Sequence, residues 1–168
     1  ENRVRVANNS FEELNVTTGE LYDIANRTRQ PISAIGELFQ RAAIASSALG
    51  ASQEDLLTFT ETVGKSLAIQ GTSATQAAGA LVQLGQAMGE GIVRAQEFNS
   101  VIEQMPVLAI AAGEAMGFTA ETAISELRRI IKSPNVDLKS SDFFNAILEG
   151  AKSIEKQFLL TDATIGQS

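Results

Sequence analysis

The residues able to do chemistry in this chain are its carboxylates. Among 168 residues there are 20 Asp and Glu, 13 Lys and Arg, and neither Cys nor His. Two well-placed carboxylates suffice for glycoside hydrolysis, one as acid and one as base or nucleophile. Glu97, Glu103 and Glu114 are the candidates, because they fall near glycine and proline joints in the middle of the chain. The rest of a sugar site does not accompany them: there is no Trp and one Tyr to stack against a ring. Glutamate on an exposed helix face is the simpler use, so no catalytic residue is assigned.

The missing residue types close other routes. Without Cys there is no thiolate nucleophile, disulfide or Cys-ligated metal, and without His no Ser-His-Asp triad and no His-containing metal site. Asp137, Asp142 and Asp162 lack the spacing of a calcium loop. The glycines form neither a Walker phosphate loop nor a dinucleotide fingerprint. No metal and no cofactor are assigned. The net charge of −7 argues against a nucleic-acid surface, which needs clustered Lys and Arg. The densest basic pairs, Arg27 with Arg29 and Arg128 with Arg129, read as solvated helix faces. No apolar run approaches the ~18 residues of a membrane span. The nearest, Pro106–Gly113, is ended by Glu114.

The elements that would hold such residues are helical. Hydrophobic residues make up 44% of the chain, mostly Ala, Leu, Ile and Val, with 5% aromatic. That composition favours close-packed helices over a sandwich of sheets. Thr17 and Glu20 have capping-box spacing, and Leu21, Ile24, Ala25 and Thr28 follow on one face. Pro31 ends that helix near Arg29 and can start the next. Ile35, Leu38, Phe39, Ala42 and Leu49 form its stripe, and Gly50 supplies a left-handed stop. Ser52 with Asp55 opens a helix striped by Leu56, Phe59, Val63 and Leu67; Ser73 with Gln76 opens one striped by Ala77, Leu81, Leu84 and Met88. Gly79, and Gly85 with Gly89 at helix-pair spacing, suggest close helix approach.

From Glu97 to Ala112 the apolar period crosses Pro106, which means a kink or two helices meeting there. Thr119 is expected to cap Ala120–Lys132, and Ser133-Pro134-Asn135 to form a loop. A last long helix is expected from Ser140 or Ser141 through Phe158. Residues 1–17 read as a weakly patterned arm, with a possible extension at Arg3–Val6 or a capping box of Ser10 with Glu13; residues 161–168 read as a polar tail. The expected fold class is therefore all-α: a compact bundle of about seven amphipathic helices over 18–160, joined by short Gly and Pro turns. A start at Glu1 without Met is expected of a fragment of a longer chain.

The most distinctive stretch is QGTSATQAAGALVQLGQAMGEGIVRAQEFNSVIEQMP. It resembles the signature region of the N-terminal tape-measure domain of phage and prophage tail tape-measure proteins. The matching residues are Gly71, Ser73-Ala74, Ala80-Leu81-Val82-Gln83-Leu84, Gln86, Gly91, Arg94, Glu97-Phe98-Asn99-Ser100-Val101, Glu103-Gln104 and Pro106. Upstream, Ala25, Thr28-Arg29, Glu37-Leu38-Phe39, Arg41, Leu49-Gly50, Leu56-Leu57, Thr60-Glu61-Thr62-Val63 and Lys65 match as well; downstream, Gly117-Phe118-Thr119 and Leu127-Arg128 do. The chain departs from the family pattern at Val93–Asn99, where Ala95-Gln96 replaces Gly-Glu, and over Ile130–Lys139.

The resemblance implies a helical structural protein of the phage tail, present in several copies, that sets tail length during assembly. It implies self-association and contacts with tail-tube, tail-tip and tail-assembly chaperone proteins. The virion tail, assembled in the bacterial host cytoplasm, would be its location. It supplies no catalytic residue. Within the distinctive stretch, Arg94, Glu97 and Asn99 are expected to fix a helix pair by capping or ion pairing, and Phe98, Val101 and Ile102 to fill the core. A reading from another class is a cell-envelope-active segment of a phage tail or toxin protein, either a peptidoglycan hydrolase or a membrane-interacting helical domain.

Overall fold

A computed structural model describes residues 17–167, with side chains described through Thr161. The possible capping box of Ser10 with Glu13 and the extension at Arg3–Val6 lie outside the described residues.

Helix α1 covers 17–28. Its exit is sharp because Arg29 takes φ 58° ahead of Pro31, and Gln30 N donates back to Ala25 O at 3.0 Å. Pro31 then caps α2 (Ile32–Ile44) from an extended conformation. The one-turn α3 (Ser46–Leu49) closes on Gly50 at φ 68°, as the left-handed stop required. Helix α4 (Gln53–Gln70) opens on a complete capping box between Ser52 and Asp55. Ser73 caps α5 (Ala74–Glu90) by accepting from Gln76 N. There follow α6 (Ala95–Gln104), α7 (Pro106–Ala115), α8 (Ala123–Lys132), α9 (Ser140–Glu149) and α10 (Ala151–Gln167).

The class is all-α, but the described residues form ten helices rather than about seven. Three breaks account for the difference. At Met105 the backbone leaves the helical region and Pro106 restarts it as α7, so the apolar period spans two helices. Ala45 separates α2 from α3. Gly150 divides the expected last helix into α9 and α10. A Cβ there would meet the Ala111 side chain at 3.0 Å, so α7 crosses this break closely. Helix α8 also starts later than expected, at Ala123, because Thr119 Oγ1 accepts from Thr122 N in a preceding turn.

Helix α4 is the axis of the packing. It touches α2, α7, α9 and α10, and residues 62–67 are buried on every side. Leu56, Phe59, Val63 and Leu67 join the main core, and Phe59 stacks on Phe144 of α9 at 4.7 Å between ring centres. Its polar residues enter the interior by satisfying themselves. Thr60, Thr62 and Ser66 donate to the carbonyls of Leu56, Thr58 and Thr62 one turn back. Gly64 leaves room for Thr28 of α1, whose Oγ1 lies 2.9 Å from where a Cβ would sit. Thr17 Oγ1 accepts from Gln53 Nε2 at 2.7 Å, which ties the start of α1 to the start of α4. Helix α5 forms the second axis, packed on α2, α6 and α9. Of its glycines, Gly85 meets Arg41 of α2, whereas Gly79 and Gly89 face open space. The close-approach role expected from the spacing is therefore confined to Gly85.

Candidate functional site

The distinctive stretch folds into a turn that other parts of the chain hold shut. Helix α5 ends at Glu90 and Gly91 takes φ 84°, a conformation that a side chain makes costly. The chain then runs extended beside the loop that precedes α9. Val93 N donates to Leu138 O at 2.8 Å, and Ser140 N donates to Gly91 O at 2.9 Å. Ile92 and Lys139 face each other as an isolated antiparallel bridge. The buried Ser140 hydroxyl donates to Ala87 O in the last turn of α5. The turn between α5 and α6 is thus clasped by 138–140, with Val93 and Leu138 both in the core.

The neighbouring side chains divide between surface and interior. Arg94 occupies the N-cap position of α6 without capping it and instead ion-pairs with Glu90 across the turn. Glu97 lies in the first turn of α6, where a carboxylate suits the positive end of the helix dipole. It is only 5% exposed, and its Oε1 is buried without a hydrogen-bond partner. Phe98 and Val101 are buried; Phe98 meets Phe143 of α9 edge-on, with ring centres 6.2 Å apart. Ile102 packs against the core while partly exposed, and Asn99 is exposed. At the far end of α6, Thr72 Oγ1 donates to Gln104 O at 2.8 Å, which ties the α4–α5 turn to the break at Met105.

The carboxylates singled out by residue type do not converge. Glu97 points into packed structure, whereas Glu103 and Glu114 are exposed on α6 and α7. Asp137 and Asp142 are exposed on either side of the clasp, and the side chain of Asp162 lies outside the described residues. Among the described residues no three acidic side chains group as metal ligands, and no helix is long and apolar enough to cross a membrane. What this arrangement can do is hold two helix joints at fixed angles and present surfaces to a partner.

A family described as tape measure protein matches residues 1–168. The chain belongs to the tape measure protein family. Comparison with curated proteins and with solved structures found no match. Tape measure membership makes this chain a phage-tail component. The turn clasped by 138–140 is also the stretch on which the tape measure resemblance rests most heavily.

Sequence reasoning missed two features of this tape measure chain. One is the clasp itself, which joins residues 53 positions apart through Ser140 and Ala87. Ser140 was legible only as a helix-start residue. The other is a groove beside the clasp, between the start of α6 and α8. One cavity of about 240 Å³ is lined by Ala95, Phe98, Asn99, Arg128, Ile131 and Lys132. A second, of about 290 Å³, shares Ala95, Ile131 and Lys132 with it and continues to Arg94, Asp137 and Leu138.

Proposed function

We propose that this chain is a structural, non-enzymatic domain of a tail tape-measure protein, acting in tail assembly and tail-length determination through protein–protein contacts. The observation that carries the reading is the family match over residues 1–168. The packing supports it: the signature stretch is spent on a clasped helix joint, and its carboxylates are dispersed between core and surface. In this reading the tape-measure domain is the helical unit of 18–160, flanked by the arm of 1–17 and the tail of 161–168. Its partners are further copies of itself and the tail-tube, tail-tip and tail-assembly chaperone proteins, met during assembly in the bacterial host cytoplasm.

The test is deletion of the encoded segment in a phage or prophage that produces tails. Absent or misassembled tails are expected. Infectious particles with tails of normal length overturn the reading. Peptidoglycan clearing or liposome leakage by the purified protein, lost in Glu103→Gln or Glu114→Gln, would instead favour an envelope-active segment.

A further inference from the structure

Helix α1 rests on a small core of its own. Its buried apolar residues, Ile24 and Ala25, group with Ile35 of α2, and none of the three belongs to the main cluster. Among the described residues, Leu21 and Leu57 are the ones that touch both clusters, and each is itself only partly buried. A helix fixed by so few interior contacts opens at a lower free energy than one inside the main core.

Charge works against this attachment. Thr17 bonds Gln53 and Thr28 lies against Gly64, so α1 and α4 run parallel with their starts side by side. Each start carries a carboxylate that suits its own helix dipole, Glu20 in α1 and Glu54 in α4. Across the cleft the same carboxylates repel. Glu20 and Asp23 of α1 and Glu54 and Glu61 of α4 line one cavity of about 250 Å³ over Ile24 and Leu57, and Arg27 is the one cation in its lining. Arg27 is engaged by Glu61, which Lys65 also approaches at 3.5 Å. Glu20, Asp23 and Glu54 have no ion-pair partner among the described residues. The exit of α1 adds a second bias. Gln30 is 8% exposed and donates through Nε2 to Thr28 O at 3.1 Å, but its Oε1 is buried without a partner. An unpaired buried acceptor regains a hydrogen bond when water reaches it, which favours opening.

We propose that α1 is a latch: it swings off α4 as one unit while the main core stays folded, and so uncovers Ile35 and Leu57. The bend at Arg29, with φ 58° ahead of Pro31, is the hinge. The pair of Arg27 with Glu61 holds the latch shut against the repulsion among Glu20, Asp23 and Glu54. The latch belongs to the folded chain and is read on purified protein. Its failure leaves the tail role standing, and a failed deletion test leaves the latch standing.

Native-state hydrogen exchange, read amide by amide, tests it. The helix-bonded amides of α1 are expected to exchange about tenfold or more faster than those of Phe59 and Phe144. Their rates should depend little on urea below the unfolding transition, because a local opening exposes little surface. Arg27→Gln should speed exchange in α1 about threefold, and Asp23→Lys should slow it by a similar factor, with the Phe59 and Phe144 amides unchanged. Ile24→Ala removes the buried anchor. It should speed exchange in α1 about 30-fold or more while Phe59 and Phe144 stay within about threefold. Equal rates in α1 and at Phe59 and Phe144 overturn the latch. So does a loss of protection in Ile24→Ala that all these amides share, since α1 then opens only with the whole fold. Charge variants that leave exchange in α1 unaltered overturn the role given to the cleft.

Discussion

Lys65 and Glu155 form an ion pair that joins α4 to α10, buried at the lysine end and open at the glutamate end. The Lys65 side chain is 7% exposed and that of Glu155 50%. The same ammonium lies 3.5 Å from Glu61 Oε2 and 5.5 Å from the centre of the Phe158 ring. Such partners offset the hydration that a buried cation gives up. Removing a fully buried partner costs ~3–5 kcal/mol, so Glu155→Gln is expected to cost less, about 1–2 kcal/mol, since Glu61 remains. Lys65→Met, which removes the charge and keeps the bulk, should cost less again. Urea unfolding of both variants checks the order; a larger loss for Lys65→Met shows that the pair stabilises in its own right.

The glycines of the signature stretch should respond with opposite signs. Gly91 takes φ 84°, so Gly91→Ala is expected to lose about 1–2 kcal/mol. Gly89 is helical, with nothing within 4 Å of an added Cβ, and Gly89→Ala should gain about 0.5–1 kcal/mol. Thermal melts of the two variants separate conformational requirement from flexibility. Destabilisation by both shows that the α5 end needs freedom that the packing does not reveal.

Helices α7 and α8 approach too closely at Gly113 for any side chain. A Cβ there would lie 2.5 Å from Ala123 Cβ and 3.0 Å from its Cα. Gly113→Ala is therefore expected to cost about 1–3 kcal/mol by forcing the helices apart. Adding Ala123→Gly removes the nearer clash and should return part of the loss. A double variant no more stable than Gly113→Ala places the strain elsewhere.

Phe98 and its edge-on partner Phe143 are both fully buried. Phe98→Ala should cost ~3–5 kcal/mol, the range for a large buried aromatic. A loss below ~1 kcal/mol means the site relaxes or opens, and chemical denaturation reads the difference directly.

Capped and striped helices were legible in the sequence because their signals are local. Ser52 with Asp55, Ser73 with Gln76 and Gly50 act within one turn of themselves, and each does in the structure what its type and spacing suggest. The burial of residues 62–67 of α4 on every side was not legible. Thr60, Thr62, Lys65 and Ser66 lie off the apolar stripe, and back-bonding to the preceding turn and a partner on α10 let these polar types enter the interior. The same limit applies to the clasp. Ser140 reaches Ala87 across 53 positions, and no periodicity encodes a pairing between a turn and a distant loop. Gly89 shows the reverse error: a spacing that suggests close packing can face solvent when no helix happens to cross there.

The ion pairs around α4 form one continuous chain of charges. Arg27 of α1 pairs with Glu61, Glu61 with Lys65, and Lys65 with Glu155 of α10. The first described helix and the last are thereby linked through one turn of α4, and a change of charge at Glu61 or Lys65 reaches both flanks at once.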